Sequence, residues 1–257
     1  MDPIQILSGF VVGAIVGITG VGGGALMTPL LVLLFGVPPA TAVGTDLMYA
    51  AITKTGGVVA HARHGRIEWP IVRRLAAGSL PAALIVLLLV STFVPGGLGA
   101  AHTTITFFLG IALFLTALAL LFRQRLLSWT LSWQRPAVAD RAWPTVLAGA
   151  VLGILVSLSS VGAGALGVTV LVLLYPGLAA VRIVGTDLAH AVPLAFVAGF
   201  GHWWLGSIDV PLLASLLVGS LPGVWLGSHF AHRIPERVLR HLLAGMLLLA
   251  GGKLISI

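Results

Sequence analysis

The sequence predicts an all-α polytopic membrane protein of two inverted-topology repeats, each a re-entrant or broken helix hairpin followed by three transmembrane helices. Three observations predict it. Apolar runs near the length of a bilayer span recur from end to end, the chain duplicates itself in a fixed register, and its loop arginines gather on one side under one count of crossings.

Composition sets the class. Hydrophobic residues make up 58% of the 257-residue chain and charged residues 8%, with a mean hydropathy of +1.11. A soluble domain is typically about a quarter charged, so charges this sparse cannot cover a soluble surface. The net charge of +7 does not indicate nucleic acid, because the arginines sit in short loops between apolar runs and form no recognition stripe. There is no cysteine, which excludes disulfide and thiol chemistry. Only Asp2 precedes the first apolar stretch, so no basic n-region marks a cleaved signal peptide.

The apolar runs are 4–35, 41–61, 69–94, 103–122, 144–175, 181–204, 210–230 and 238–256. The long polar connection 123–143 divides the chain into a first membrane repeat (1–122), a cytoplasmic connecting loop (123–143) and a second membrane repeat (144–257). Gly44-Thr45-Asp46-Leu47 recurs as Gly185-Thr186-Asp187-Leu188, and Gly78-Ser79-Leu80-Pro81 as Gly219-Ser220-Leu221-Pro222, both at an offset of 141. The same offset pairs His61 with His202, Gly65 with Gly206 and Glu68 with Asp209. Upstream, Val21-Gly22-Gly23-Gly24-Ala25-Leu26 matches Val161-Gly162-Ala163-Gly164-Ala165-Leu166 at an offset of 140. A register held through polar positions marks a duplication.

The first run of each repeat is too long for one span. Residues 4–35 as one straight helix would reach roughly 48 Å, against a hydrocarbon core of about 30 Å. Its centre, Thr19-Gly20-Val21-Gly22-Gly23-Gly24, is where helix propensity fails. Either a helix crosses with an unwound centre or two half-helices enter and leave on one side. With two such hairpins and six full crossings, the loop-proximal arginines all fall on one side, as the positive-inside rule requires. Equivalent loops also exchange arginine: Thr41 in the first repeat is Arg182 in the second, and Arg66 becomes Ser207. This is the pattern of inverted repeats, and it predicts both termini on the outer side of the membrane.

Lipid cannot solvate unwound backbone, so the glycine breaks must face protein or a polar chamber. Freed amides at the start of a helix form an anion site, and glycine permits close approach of a ligand. The predicted substrate-binding residues are Thr19, Gly20, Gly22, Gly23, Gly24, Lys54, Ser159, Ser160, Gly162 and Gly164, with Thr28 and Ser157 as further hydroxyls. Lys54, whose counterpart is Ala195, supplies charge to an anion. Thr45, Asp46, Thr186, Asp187 and His190 are the coupling or structural polar residues. Each Thr-Asp either serves transport directly or caps the neighbouring hairpin. Asp187 and His190 share a helical face, which suits a proton-linked step. His61 and His64 lack a second ligand motif, so no metal site is assigned.

The Gly-Ile-Thr-Gly-Val-Gly-Gly-Gly-Ala stretch at 17–25, followed by Pro-Pro-Ala-Thr-Ala-Val-Gly-Thr-Asp-Leu at 38–47, resembles the sulfite exporter TauE/SafE family, also called the toluene-sulfonate uptake permeases. The resemblance covers both halves, although Ser159-Ser160-Val161-Gly162-Ala163-Gly164 departs from the glycine-rich form. It implies an inner-membrane carrier of small sulfur-containing anions: sulfite, sulfonates or sulfo-carboxylates. The expected function is therefore secondary transport of such an anion, bound at the glycine breaks near the bilayer midplane. Its partners are the anion, the lipid bilayer and a coupling proton or ion, with no nucleic acid and no cofactor. An anion channel built on re-entrant half-helices is the alternative. An intramembrane enzyme would need an acid–base or nucleophile constellation, and only Asp187 with His190 approaches one.

Overall fold

The computed structural model describes residues 3–19, 24–93, 102–131, 141–162, 164–230 and 236–255. Helix is the regular structure throughout. The first repeat contributes α1 (Pro3–Thr19), α2 (Gly24–Phe35), α3 (Pro39–Arg63), α4 (Trp69–Phe93) and α5 (His102–Leu131), the last running on as helix into the stretch expected to be the connecting loop. The second contributes α6 (Ala142–Ser159), α7 (Ala165–Leu174), α8 (Ala180–Trp204), α9 (Val210–Phe230) and α10 (Glu236–Ile255). Five of these, α4, α5, α6, α8 and α9, are long and apolar enough to cross a membrane. Helix α3 matches α8 in length at 25 residues, but Asp46, Lys54 and its threonines lower its apolarity.

Local chemistry sets the breaks. Pro39 begins α3, where a fixed φ suits the first helical position and the missing N–H costs nothing. Equivalent tight connections close α3 and α8 with Gly65 (φ 62°) and Gly206 (φ 72°), left-handed positions that a side chain would strain. The Gly65 N–H donates to Ala62 O at 3.0 Å and the Gly206 N–H to Trp203 O at 2.9 Å.

The first run of the second repeat is a helical hairpin. Arg141, before α6, donates to the Leu174 carbonyl at the end of α7, and Thr145 Oγ1 meets Tyr175 Oη at 2.6 Å. The start of α6 and the end of α7 therefore lie on the same face, which selects the hairpin over a crossing helix with an unwound centre. In the first repeat, Val12 and Val16 of α1 pack in one cluster with Met27, Leu30 and Leu31 of α2.

Each hairpin packs on the opposite repeat. A Cβ at Gly149 or Gly153 of α6 would stand 2.2 Å from Leu75 O or 2.3 Å from Ser79 O of α4. At Gly9 or Gly13 of α1 it would stand 2.5 Å from Leu216 O or 2.5 Å from Ser220 O of α9. The two sets match at offsets of 140 on the hairpin and 141 on its partner. Small residues thus let paired backbones touch, the device of membrane helix interfaces. Positions rise together along both pairs, so α1 runs parallel to α9 and α6 parallel to α4. Helices α3 and α8 run antiparallel: Gly44 meets His202 and Ser207, while Gly185 meets His61 and Arg66.

The perimeter is apolar. Leu34, Phe93, Trp143, Trp204 and Leu249 are all more than 70% exposed, a surface that suits lipid and not water. Two grooves of about 400 and 440 Å³, one between α4 and α8 and one among α5, α6 and α7, are walled mainly by leucine, valine and phenylalanine. Their chemistry fits acyl chains.

Candidate functional site

The interior holds the polar residues that the sequence flags, and α3 and α8 carry most of them. At the crossing of these helices, the repeated Gly-Thr-Asp divides its labour. The glycine admits the loop of the opposite repeat, since a Cβ at Gly44 would lie 2.2 Å from Ser207 O and one at Gly185 2.5 Å from Arg66 O. The threonine secures that loop: Thr45 Oγ1 accepts the Asp209 N–H at 3.1 Å, and Thr186 Oγ1 accepts the Glu68 N–H at 3.0 Å. These threonines do hold freed amides, but in the opposite repeat's connection, not in a hairpin. At the same corner, Arg182 and Glu68 form an ion pair.

The aspartates turn inward. Asp46 and Asp187 are 0% and 2% exposed, and Lys54 is 7% exposed. The Thr28 hydroxyl, from α2, donates to Asp46 Oδ2 at 2.5 Å. Ser160, at the tip of the α6–α7 hairpin, lies within polar reach of the same carboxylate. Two hairpins from two repeats therefore converge on Asp46. Asp187 stands against the first turn of α7, where a Cβ at Gly167 would fall 1.9 Å from its Oδ1. Lys54 lies within the electrostatic reach of Asp46, Asp187 and His190.

A second symmetric pair flanks the aspartates. His190 Nε2 meets Ser79 Oγ at 2.8 Å, and its equivalent, Tyr49, lies beside Ser220. All four are buried. Sequence reasoning noted the repeated Gly-Ser-Leu-Pro without assigning its serine, and it passed over Tyr49. The offset that pairs Tyr49 with His190 was the available signal. Asp46 Oδ1, Asp187 Oδ1 and Ser160 Oγ are buried and make no hydrogen bond within the protein. Unpaired polar atoms in the membrane interior are expensive, and they mark places where a ligand, proton or water completes the site.

The hairpin tip itself is unwound. Ser160 (φ 57°), Gly162 (φ 126°) and Gly164 (φ 138°) all occupy positive φ, and α7 starts immediately afterwards with no side-chain cap on Gly164. Ser159 Oγ donates to Leu155 O at 2.6 Å and lies 3.2 Å from the Val161 N–H, so its hydroxyl shapes the tip. In the first repeat, Gly20, Gly22 and Gly23 lie outside the described residues. Thr19 ends α1, and Gly24 opens α2. The predicted residues that come together are thus Asp46, Lys54, Asp187, His190 and Ser160, with Thr28. Thr45 and Thr186 lie at the periphery of this cluster.

The sulfite exporter TauE/SafE family model matches residues 5–254. The chain belongs to the TauE/SafE sulfite exporter family. Among relatives of this family member, the probable membrane transporter protein YjnA of Bacillus subtilis is 42% identical over 97% of this chain and 98% of its own length. The probable membrane transporter protein YdhB of the same organism is 30% identical over 95% and 98%. A probable membrane transporter protein of Methanocaldococcus jannaschii is 26% identical over 95% and 92%. No solved structure matches the chain. This TauE/SafE member is therefore a multi-pass membrane transporter, and its buried cluster lies within the matched span.

Proposed function

We propose that this protein is a secondary transporter of small sulfur-containing anions, with sulfite, sulfonates and sulfo-carboxylates as the candidate substrates. The observation that carries the reading is the convergence of a hairpin tip from one repeat and a hairpin helix from the other on a buried lysine–carboxylate cluster. The unwound Gly162–Gly164 tip, with the start of α7 beside it, offers amides and a positive helix end to an oxyanion. Lys54 adds a buried formal positive charge within α3. The glycine-rich stretch of the first repeat, with Gly22, Gly23 and Gly24, is the proposed second wall.

The antiparallel crossing of α3 and α8 supports an inverted-topology arrangement, since equivalent helices of the two repeats then point to opposite sides. The Arg182–Glu68 pair joins the α3–α4 connection to the first turn of α8, which favours both on one membrane face. With six crossings and two hairpins, that face is cytoplasmic by its arginines, and both termini lie outside. Alternating access would then consist of one repeat rocking against the other around the cluster.

The test is exchange in reconstituted vesicles loaded with sulfite, sulfate, thiosulfate or methanesulfonate. A labelled member of this set should show counterflow, and Lys54→Ala should reduce it about tenfold or more, the worth of roughly 1.4 kcal/mol of anion stabilisation. Unchanged exchange in Lys54→Ala would remove the cluster from the anion path. Electrically measurable currents without counterflow would make the protein a channel.

A further inference from the structure

The charged side chains of the cluster do not sum to a receptacle for an anion. Asp46, Lys54 and Asp187 are all more than nine-tenths buried. Two carboxylates and one ammonium leave a net charge of −1 when all three are ionised. An arriving anion adds like charge in an enclosure where screening is weak. A positive equivalent must accompany it. We propose that this equivalent is a proton carried on Asp187, so that the protein is an anion–proton cotransporter. The inference rests on the anion-transport reading given above and names its coupling ion and carrier residue.

The two aspartates are equivalent by sequence but not by surroundings. Asp46 accepts the Thr28 hydroxyl at 2.5 Å and has the Ser160 hydroxyl beside it. The Thr28 donor stabilises the ionised carboxylate. The residue that corresponds to Thr28 in the second repeat is Val168, which has nothing to donate. Asp187 Oδ1, like Asp46 Oδ1, is buried without a hydrogen bond, and it is pressed against the Gly167 backbone so closely that a methyl group there would stand 1.9 Å away. That side of the carboxylate is too closely packed for a coordinated metal cation.

The groups facing Asp187 are few. Helix α3 contributes Lys54 and, through it, Asp46, with His61 against Gly185 near the start of α8. On α8 itself His190 is engaged with Ser79 of α4 at 2.8 Å. Helices α6 and α7 contain no titratable residue. Lys54 can neutralise only one of the two carboxylates. Asp46 has the Thr28 hydroxyl to hold its charge and Asp187 has no such donor, so Asp187 is left to take up a proton when the anion enters and release it when the anion departs. One O–H bond forms at Asp187 on loading, with the proton taken from water on the entry side, and breaks on unloading, with the proton returned to water on the exit side.

Proteoliposomes offered labelled sulfite, thiosulfate or methanesulfonate test this, with protein-free vesicles subtracted. With one proton per anion, an imposed gradient of one pH unit should raise the accumulation of the carried anion about tenfold. Asp187→Asn, which can take up no proton there, should lose that response to the pH gradient. Val168→Thr, which supplies the missing hydroxyl and leaves the carboxylate in place, should move the pH dependence of uptake to lower pH. Exchange with no response to the pH gradient, or accumulation driven by a sodium gradient at constant pH, overturns the coupling while leaving anion transport intact. Asp187→Asn vesicles that still accumulate overturn the assignment to Asp187. No exchange of any probe by the wild-type protein overturns the transport reading itself.

Discussion

Thr45 and Thr186 illustrate what a repeated residue does in this protein. Each buries its hydroxyl in the membrane interior and uses it as acceptor for one backbone N–H of the opposite repeat, Asp209 at 3.1 Å and Glu68 at 3.0 Å. Removing such an acceptor leaves a donor without its partner at a cost of about 1–3 kcal/mol. Thr45→Val and Thr186→Val should therefore lower thermal stability in detergent by similar amounts, because the contacts are equivalent. A large loss in one and none in the other would show that the symmetry of the contacts is not a symmetry of energies. The residues were legible in the sequence because the Gly-Thr-Asp motif recurs. Their division of labour was not, since no spacing tells which of three adjacent polar or small residues faces the other repeat.

At the scale of elements, the glycines of α1 and α6 decide how the repeats lock. Their spacing of four places a small residue on one helical face at each turn, and the structure fills those positions with the partner's backbone. Gly153→Leu should destabilise by about 1–3 kcal/mol or more through overpacking against Ser79. Gly13→Leu, against Ser220, should do the same. Gly252→Leu, at a position with no neighbour within 4 Å, is the control and should be near neutral. Thermal unfolding of the three purified variants separates the cases. The spacing of these glycines is legible in the sequence, but their partner is not. Parallel pairing of a hairpin helix with the opposite repeat's α4 or α9 is a tertiary choice that the same small-residue face would have allowed within one repeat.

The whole molecule makes one topological prediction. If the repeats are inverted across the bilayer, the corner at residue 64 and its equivalent at residue 205 lie on opposite sides. The absence of native cysteine makes single-cysteine labelling direct. His64→Cys should react only from the cytoplasmic side, and Leu205→Cys only from outside. Labelling of both from the same side would end the inverted arrangement and the orientation of the termini that goes with it.

The sequence by itself determined the membrane class, the duplication and the places where helices break. Each is a local or periodic property: apolar run length, a register held through polar residues, and consecutive glycines that cannot sustain a helix. It also named most of the buried ionisable groups, because a charge inside an apolar run is conspicuous. Only the tertiary structure decided that the second broken run folds back as a hairpin, that the hairpins pack on opposite repeats, and that Thr28 and Ser160 both reach Asp46 while Asp187 has Val168 where Asp46 has Thr28. Those outcomes depend on which backbones approach closely enough to touch. That is a property of helix faces meeting across more than a hundred residues of chain, and no window of sequence contains it.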